Sequence, residues 1–398
     1  MLGFLNPSKT LKSLKDRTPL GLLQLKHDRV RLLTAIAGIT FADVLIFMQL
    51  GFADALFTSN TQYPRAIQAD LVLISPQAKN FANLRTFPNR RLYQALDVPG
   101  VATTNAMNIG SKEWRNPQTR EKSSLMLVGQ NPDQAAFNLP EINQQIEQTR
   151  MPDTFLFDQA ARGDYQEMIA EVQQTGSAQT EIALRTVTVT GLFTVGASFG
   201  DDGALITSNQ NFFRQFPRRD PGAVNLGLVN VEPGYDVASV QADLIEHLPS
   251  DVQVLTQEGY VDFELAEIQG NSPIGFVFSL GSAMGFVVGI VIVYQVLSTD
   301  VNSHLSEYAT FKAMGYRNGY LLGIVFEEAI ILSVCGFIPS LAVGMGIYAL
   351  ASAATALPMA MTVSRAITVL VLTVVMCGAS GAIATQKLQS ADPADIFS

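Results

Sequence analysis

The chain has 398 residues, of which 48% are hydrophobic and 15% are charged, and its net charge is −9. Soluble domains carry roughly 25% charged residues, so this composition indicates lipid-embedded segments, where a charge is costly. Residues 58–272 hold 15 basic and 25 acidic residues. This acidic balance argues against nucleic acid as a partner, because phosphates bind to basic surfaces.

Four apolar stretches are long enough to cross a hydrocarbon core, which takes roughly 20 residues. They are residues 32–57, 274–297, 320–350 and 366–384. The sequence therefore predicts a membrane protein with four transmembrane α-helices and a large mixed α/β extracytoplasmic domain, residues 58–272, inserted between helices 1 and 2. The first stretch is interpreted as a retained anchor and not a signal peptide, since its basic leader and its apolar run are both too long.

The distribution of basic residues predicts the orientation. Residues 1–31 contain seven Lys or Arg and two acidic residues. By the positive-inside rule this N-terminal segment is cytoplasmic. Residues 58–272 are then outside, and residues 298–319 and the tail 385–398 are inside.

Residues 58–272 show strand and helix patterns. Strands are predicted at residues 71–74, 124–128 and 185–193, and helices at residues 90–96, 143–148 and 165–174. The alternation in 185–193 is typical of a half-buried strand, and residues 223–231, 237–248 and 252–255 form a strand–helix–strand unit. The side chains expected in the core are Val187, Leu192, Val229 and Leu244.

The outer domain shows little evidence of catalysis. Residues 196–200 have the G-x-S-x-G form of a nucleophile elbow, but the elbow needs a helix straight after Ser198, whereas Asp201 and Asp202 predict a turn. His247 lies on a polar helix face and is expected to be solvated. A calcium site at Asp201 and Asp202 is conceivable, but the spacing of an EF-hand is absent and a turn is preferred. Neither H-E-x-x-H nor C-x-x-C occurs. No catalytic residue and no metal site is therefore predicted, and the domain is interpreted as a binding or docking module.

Two features of the spans carry possible functions. Gly281, Gly285 and Gly289 recur every four residues, a pattern that lets helix backbones approach closely, in this chain or in a second copy. Carboxylates inside a span are candidates for function by default. The intramembrane acidic candidates are Asp43, Glu327 and Glu328, while Asp54 is expected at the interface.

Residues 298–319 join the second and third spans on the cytoplasmic side. Asp300 or Asn302 is predicted to cap a helix that continues to about Met314, and Gly315 is predicted to end it. Such a helix either transmits force from a partner to both spans or lies as an amphipathic turn at the interface. Leu305, Tyr308, Phe311, Lys312 and Met314 offer its apolar-to-mixed surface.

The layout and one segment resemble the MacB/FtsX-type permeases of ABC transporters. In residues 304–337 the resemblance rests on Glu307, Lys312-Ala313-Met314-Gly315, Glu328 and Gly336, and residues 391–394 resemble the family's ending. Residues 37–57 are similar to the first span of the DevC-type branch. The resemblance implies an inner (plasma) membrane protein with both termini cytoplasmic.

The resemblance also implies partners. It implies a homodimer that contacts membrane lipid and exports a glycolipid-like amphiphile with a periplasmic membrane-fusion adaptor and an outer-membrane duct. It implies an ABC ATPase bound through a coupling helix, whose residues are Leu305, Glu307, Tyr308, Phe311, Lys312, Met314 and Gly315. No Gly-Lys dipeptide occurs, so a phosphate-binding loop is absent, and ATP and Mg²⁺ are expected on a separate chain. This chain is thus expected to be non-catalytic and without a cofactor.

Other functions stay open on the same residues. An FtsX-like signalling protein would use the motion to control an extracytoplasmic partner, and a lipoprotein-release permease would extract its substrate. A membrane enzyme resting on Ser198 is the least favoured.

Overall fold

The computed structural model describes residues 29–183, 185–270, 273–304, 307, 310, 314, 316 and 318–390. These residues form two compact units. The helical unit contains the described parts of residues 1–51, 277–349 and 360–398. The sheet unit contains the described parts of residues 52–276 and 350–359.

The helices are α1 Arg29–Ala66, α2 Arg90–Ala95, α3 Pro140–Gln145, α4 Gln166–Thr175, α5 Asn209–Gln215, α6 Val237–His247, α7 Gln257–Gly270, α8 Pro273–Ser303, α9 Asn318–Thr355 and α10 Val363–Ser390. The strands are β1 Leu71–Ile74, β2 Phe87–Pro88, β3 Val101–Arg115, β4 Lys122–Gln130, β5 Thr154–Asp158, β6 Ala178–Ile182, β7 Arg185–Phe193, β8 Ala204–Ser208, β9 Ala223–Val224, β10 Leu226–Val231 and β11 Gln253–Thr256. Short 3₁₀ turns lie at Phe81–Asn83 and Ile146–Arg150.

Four of the described helices are long and apolar enough to cross a membrane. Their candidate spans are Leu32–Ala66, Gly275–Ser303, Leu322–Thr355 and Val363–Thr385. They follow the predicted order, with the sheet-forming residues between the first and the second, but each helix is longer than its apolar stretch. A helix satisfies its own backbone, so it continues into polar sequence at no hydrogen-bonding cost.

The predicted helix start at Asp300 or Asn302 is wrong. Helix α8 runs without a break from the span through Ser303, so both residues lie inside it. Asp and Asn favour a helix start only when the preceding residue is not already helical. Here the apolar helix arrives from the span and passes through them.

The core of the helical unit is built from small and branched apolar side chains. Ala35, Ile39 and Ala42 of α1 are 0–2% exposed and pack with apolar residues of the other three long helices. Their partners are Val293, Leu297, Ala329, Leu332, Met376, Cys377 and Ala384. Small residues at such contacts let helix backbones approach, which is how helices associate in lipid.

The sheet unit contains a nine-stranded sheet with the order β11-β1-β10-β3-β4-β8-β5-β7-β6. Most neighbours are antiparallel, but β4–β8 and β5–β7 are parallel. Strand β6 also pairs with the end of β3, through Trp114–Ile182 and Arg115–Glu181. The six strands from β3 to β6 in this order therefore form a closed ring of pairings.

The strand–helix–strand prediction is largely confirmed by β10, α6 and β11, and the strand predicted at 185–193 coincides with β7. The strand predicted at 223–231 is interrupted at Asn225, whose side chain accepts from the Ile109 N–H at 2.9 Å and donates to the Leu84 carbonyl at 3.1 Å. Val187, Val229 and Leu244 are buried as predicted. Leu192 is half-buried and packs against the edge of the core that contains Val187.

Candidate functional sites

Asp43 lies in the core of the helical unit and is 0% exposed. The hydroxyl of Thr373 on α10 donates to Asp43 Oδ1 at 2.8 Å. The hydroxyl of Ser340 on α9 donates to Oδ2 at 3.2 Å. This carboxylate therefore connects three of the four long helices, and it is the most deeply placed of the predicted intramembrane acidic residues.

The other acidic candidates occupy different surroundings. Glu328 on α9 is 1% exposed, while its neighbour Glu327 is half-buried and Asp54 is exposed. The sequence places Asp43 and Asp54 about three helical turns apart, on one face. In the structure their surroundings differ, because Asp43 is enclosed by helices and Asp54 is exposed.

The three glycines of α8 pack against α1 of the same chain. A Cβ at Gly281 would lie 2.5 Å from the Gln49 side chain, and one at Gly285 would lie 3.2 Å from Ile46 Cγ1. A Cβ at Gly289 would collide with Met376 and lie 3.0 Å from Ala42 Cβ. The glycine pattern predicts close packing on a helix of this chain or of a second copy. The described residues show packing on a helix of this chain, α1.

The coupling segment is largely outside the described residues. Leu305, Tyr308, Phe311, Lys312 and Gly315 lie there, so their predicted roles stay predictions. Glu307 is helical and exposed, and Met314 is 61% exposed in a turn. These two positions are open to solvent or to a partner within the part of the chain that the structure describes.

The serine of the G-x-S-x-G stretch stabilises a turn. Ser198 Oγ accepts from the Asp201 backbone N–H at 2.9 Å, and its backbone N–H donates to the Asp201 carbonyl at 2.9 Å. No helix follows it, because the chain continues from this turn into β8. The structure therefore supports the predicted turn and lacks the geometry of a nucleophile elbow.

Two buried aspartates hold the loop that contains Ser198. Asp158 accepts from the backbone N–H groups of Val195 and Gly196 at 3.1 and 2.8 Å. Gly196 has φ +111°, a conformation that favours glycine. Asp201 accepts from the hydroxyls of Ser111 at 3.0 Å and Ser124 at 2.8 Å. Burial raises the pKa of both carboxyl groups, and these hydrogen bonds offset part of that rise.

His247 and Asp202 do not form a reactive cluster with these groups. His247 is exposed at the end of α6. Asp202 forms an ion pair with Arg162 at 3.0 Å. Among the described residues, no group of three or more His, Cys, Asp or Glu side chains is placed to hold a metal ion.

Glu264 of α7 is a buried acid that the sequence analysis missed. It is 0% exposed, and burial raises its pKa to about 7, while the Phe81 backbone and the Tyr260 hydroxyl lower it only in part. Helix α7 directly precedes α8 in the chain. A Glu at an inward helical position is the only signal that could have indicated it, and the surrounding residues of α7 show no clear amphipathic pattern.

Comparison with known protein families decides what the helical unit resembles. Residues 279–393 match the family described as FtsX-like permease C-terminal. The matched residues span α8, α9 and α10 and the segment between α8 and α9. Together with the four apolar helices, this match indicates a multi-pass membrane protein. No curated protein matches the chain.

Two solved structures are similar in part to this chain. One is the periplasmic region of MacB from Actinobacillus actinomycetemcomitans, at 10% identity and a TM-score of 0.35, over 51% of this chain and 94% of that one. The other is the extracellular domain of the noncanonic ABC-type transporter YknZ from Gram-positive bacteria, at 13% identity and a TM-score of 0.33, over 48% and 100%.

Proposed function

We propose that this chain is the permease subunit of an ATP-driven ABC exporter. The observation that carries the proposal is the FtsX-like permease match over residues 279–393, preceded in the chain by a sheet domain and an apolar first helix. In this proposal a separate ATPase binds the segment between α8 and α9. The closing and opening of the ATPase are transmitted mechanically to α8 and, through the chain, to the sheet unit.

The finer assignment is a DevC-like exporter of a glycolipid-like or other amphiphilic substrate. It is supported by the resemblance of residues 37–57 to the first span of that branch. We further propose that the permease is a homodimer in the inner membrane and works with a periplasmic adaptor and an outer-membrane duct. ATP and Mg²⁺ belong to the partner ATPase in this scheme.

Co-purification with an ATPase chain tests the proposal. Leu305→Asp and Phe311→Asp place a charge where an apolar contact is expected, so we expect the ATPase to be lost from the purified complex. Ile245→Asp is a matched control, because Ile245 is 58% exposed on α6 of the sheet unit. If both coupling variants retain the ATPase and its stimulated hydrolysis rate, the coupling assignment is wrong.

The family match names an FtsX-like domain and no cargo, so a signalling protein or a lipoprotein-release permease is the second candidate. Substrate accumulation in inverted membrane vesicles separates these functions. ATP-dependent accumulation of an amphiphile supports export. Activation of an extracytoplasmic partner without accumulation supports signalling.

A further inference from the structure

A polar cavity of about 430 Å³ lies in the sheet unit. It is lined by the start of α2, the first half of β3, the ends of β4 and β8, the loop after β4, Arg150 and the start of α5. Its volume is within the roughly 300–1,000 Å³ of small-molecule sites. Most of its lining side chains are neutral and polar, among them Asn89, Thr104, Asn105, Gln130, Asn131 and Ser208. The cavity is therefore large enough for a small molecule and has many hydrogen-bonding groups.

Two of the lining side chains are buried without partners. Asn105 is 4% exposed and Gln130 is 0% exposed. Neither the oxygen nor the nitrogen of either amide group has a hydrogen-bond partner among the described residues. The sheet fixes both positions, since Asn105 is opposite Leu228 and Gln130 is opposite Ser208. An unpaired buried amide is costly, so a molecule that supplies donors and acceptors here is favoured.

The charges around the cavity argue against an ionic ligand. Among the lining residues, only Asp133 and Arg150 carry a full charge, and they form an ion pair with each other. An anion or a cation would find no uncompensated charge to bind. A hydroxyl group both donates and accepts, as an amide group does, so a neutral ligand with several hydroxyl groups satisfies both amides.

The strands around the cavity argue against an added peptide strand. β3 pairs with β10 and β4, and β4 pairs with β3 and β8, so neither presents a free sheet edge. The side chain of Tyr93, by contrast, is 68% exposed and also lines the cavity. An aromatic ring face offers an apolar surface to the C–H face of a ring-shaped ligand.

We propose that this cavity is a binding site for a neutral, polyhydroxylated ring, a sugar or a closely similar polyol. The amide groups of Asn105 and Gln130 are enclosed in the described structure, so in this proposal their side chains turn toward the cavity to hydrogen-bond the hydroxyl groups of the ligand. Tyr93 packs on the apolar face of the ligand. The inference rests on the sheet unit alone and does not depend on export.

Binding to the full chain in lipid nanodiscs tests the site, since alkyl glycoside detergents would present sugars of their own. The probes are glucose, galactose and N-acetylglucosamine, with glucose 6-phosphate as the charged comparison. Binding is measured by ligand-observed NMR and by the rise in the midpoint of thermal unfolding, which is followed by Trp114 fluorescence. We expect at least one neutral sugar to bind the wild type. Gln130→Met and Asn105→Leu remove the amides at similar volume and should each weaken that sugar at least about tenfold.

The control is Gln215→Met. Gln215 is 5% exposed, its Nε2 has no hydrogen-bond partner among the described residues, and it does not line the cavity. It should leave sugar binding unchanged. Tyr93→Ala, at a position that is 68% exposed, should weaken the binding of the same sugar, whereas Tyr235→Ala, at a position that is 51% exposed, should not.

Three outcomes overturn the proposal. They are the absence of binding of any neutral sugar to the wild type, equal binding by the wild type and Gln130→Met, and binding of glucose 6-phosphate only. Because no ATPase is present in the measurement, none of these outcomes bears on the permease proposal.

Discussion

A carboxylate is a costly group to bury inside an apolar helix bundle, and at Asp43 the hydroxyls of two other helices offset that cost. Each hydroxyl also has a second acceptor in its own helix, because Thr373 Oγ1 lies 2.7 Å from the Val369 carbonyl and Ser340 Oγ lies 2.7 Å from the Phe337 carbonyl. A hydroxyl has one proton to donate. Asp43 therefore competes with local carbonyls, and its links between helices are worth less than two full hydrogen bonds.

Substitutions of Asp43 should separate its hydrogen bonding from its charge. Asp43→Asn keeps an acceptor for Thr373 and gains a donor for Ser340, so we expect stability close to wild type. Asp43→Leu removes both links and should cost about 1 kcal/mol, since interhelical hydrogen bonds in lipid average roughly 0.6 kcal/mol each. Loss of helical circular dichroism during denaturation in nanodiscs measures the difference.

Ser333→Ala is the control for Asp43, because Ser333 is buried and donates only to the Ile330 carbonyl of its own helix, at 2.7 Å. It should leave stability unchanged. A loss with Asp43→Asn as large as that with Asp43→Leu would show that the charge itself, and not the hydrogen bonds, is required.

Glu264 should make the sheet unit less stable as the pH rises. Its pKa is about 7 in the folded protein against an ordinary value of 4.5. The folded protein therefore keeps a proton that the unfolded chain releases, so stability falls as the pH rises between these two values and is level above about 7. The contribution is at most roughly 3.5 kcal/mol, at about 1.4 kcal/mol per unit of pKa. Glu264→Gln, which mimics the protonated acid, should remove it.

Trp114 is the only tryptophan of the chain and is buried in the sheet unit, so its fluorescence reports the unfolding of that unit. Melting temperatures of the wild type and Glu264→Gln should agree near about pH 4, below both pKa values, and separate toward pH 7. Asp158 and Asp201, whose pKa values are also raised, act in both proteins alike and cancel in the difference. Parallel curves across this range would show that Glu264 ionises in the folded state without cost.

At the residue scale, sequence could indicate Asp43 but not its surroundings. A carboxylate within an apolar stretch is visible locally. Its partners Ser340 and Thr373 lie 297 and 330 positions along the chain, and nothing in their own sequence context marks them. Asn105 and Gln130 were missed for a related reason, since an amide within a strand shows its missing partners only once the sheet is assembled.

At the element scale, the close packing of α8 on α1 gives a steric test. Gly285→Leu places a branched side chain against Leu45 and Ile46 of α1. Overpacking of a close-packed contact costs roughly 1–3 kcal/mol. We expect lower stability in nanodiscs, measured by the loss of helical circular dichroism.

Gly346→Leu is the matched control for Gly285, because a Cβ at Gly346 on α9 meets no described atom within 4 Å. It should have a small effect. A Gly285→Leu protein of normal stability that has lost its oligomeric state would place these glycines against a second copy of the chain, contrary to their packing on α1.

Strands in this protein were harder to predict than helices for a physical reason. β5 and β8 are buried on both faces, so they show no alternation of polar and apolar residues. β3 runs for 15 residues with Gly110 in its interior and a polar start. β7, with one half-buried face, alternates clearly and was predicted with its observed bounds. The patterns that a sequence shows depend on how many faces a strand buries.

At the scale of the whole molecule, the four apolar helices were predictable because each crossing needs about 20 apolar residues in one continuous segment. The ring of six strands was not, because its closure depends on the pairing of β6 with the end of β3, 66 or more residues away in the chain. Local hydropathy defines what enters lipid, whereas a sheet is defined by pairings between distant residues.

Orientation is the whole-molecule property that the excess of Lys and Arg in residues 1–31 predicts. In a background with Cys335 and Cys377 replaced by alanine, Tyr235→Cys should react with an impermeant maleimide in right-side-out vesicles, since Tyr235 is 51% exposed in the sheet unit. Lys12→Cys should react only after the membrane is permeabilised. The opposite pattern would put the sheet unit in the cytoplasm, where neither an exporter adaptor nor an extracytoplasmic signalling partner could reach it, and both proposed functions would then be wrong.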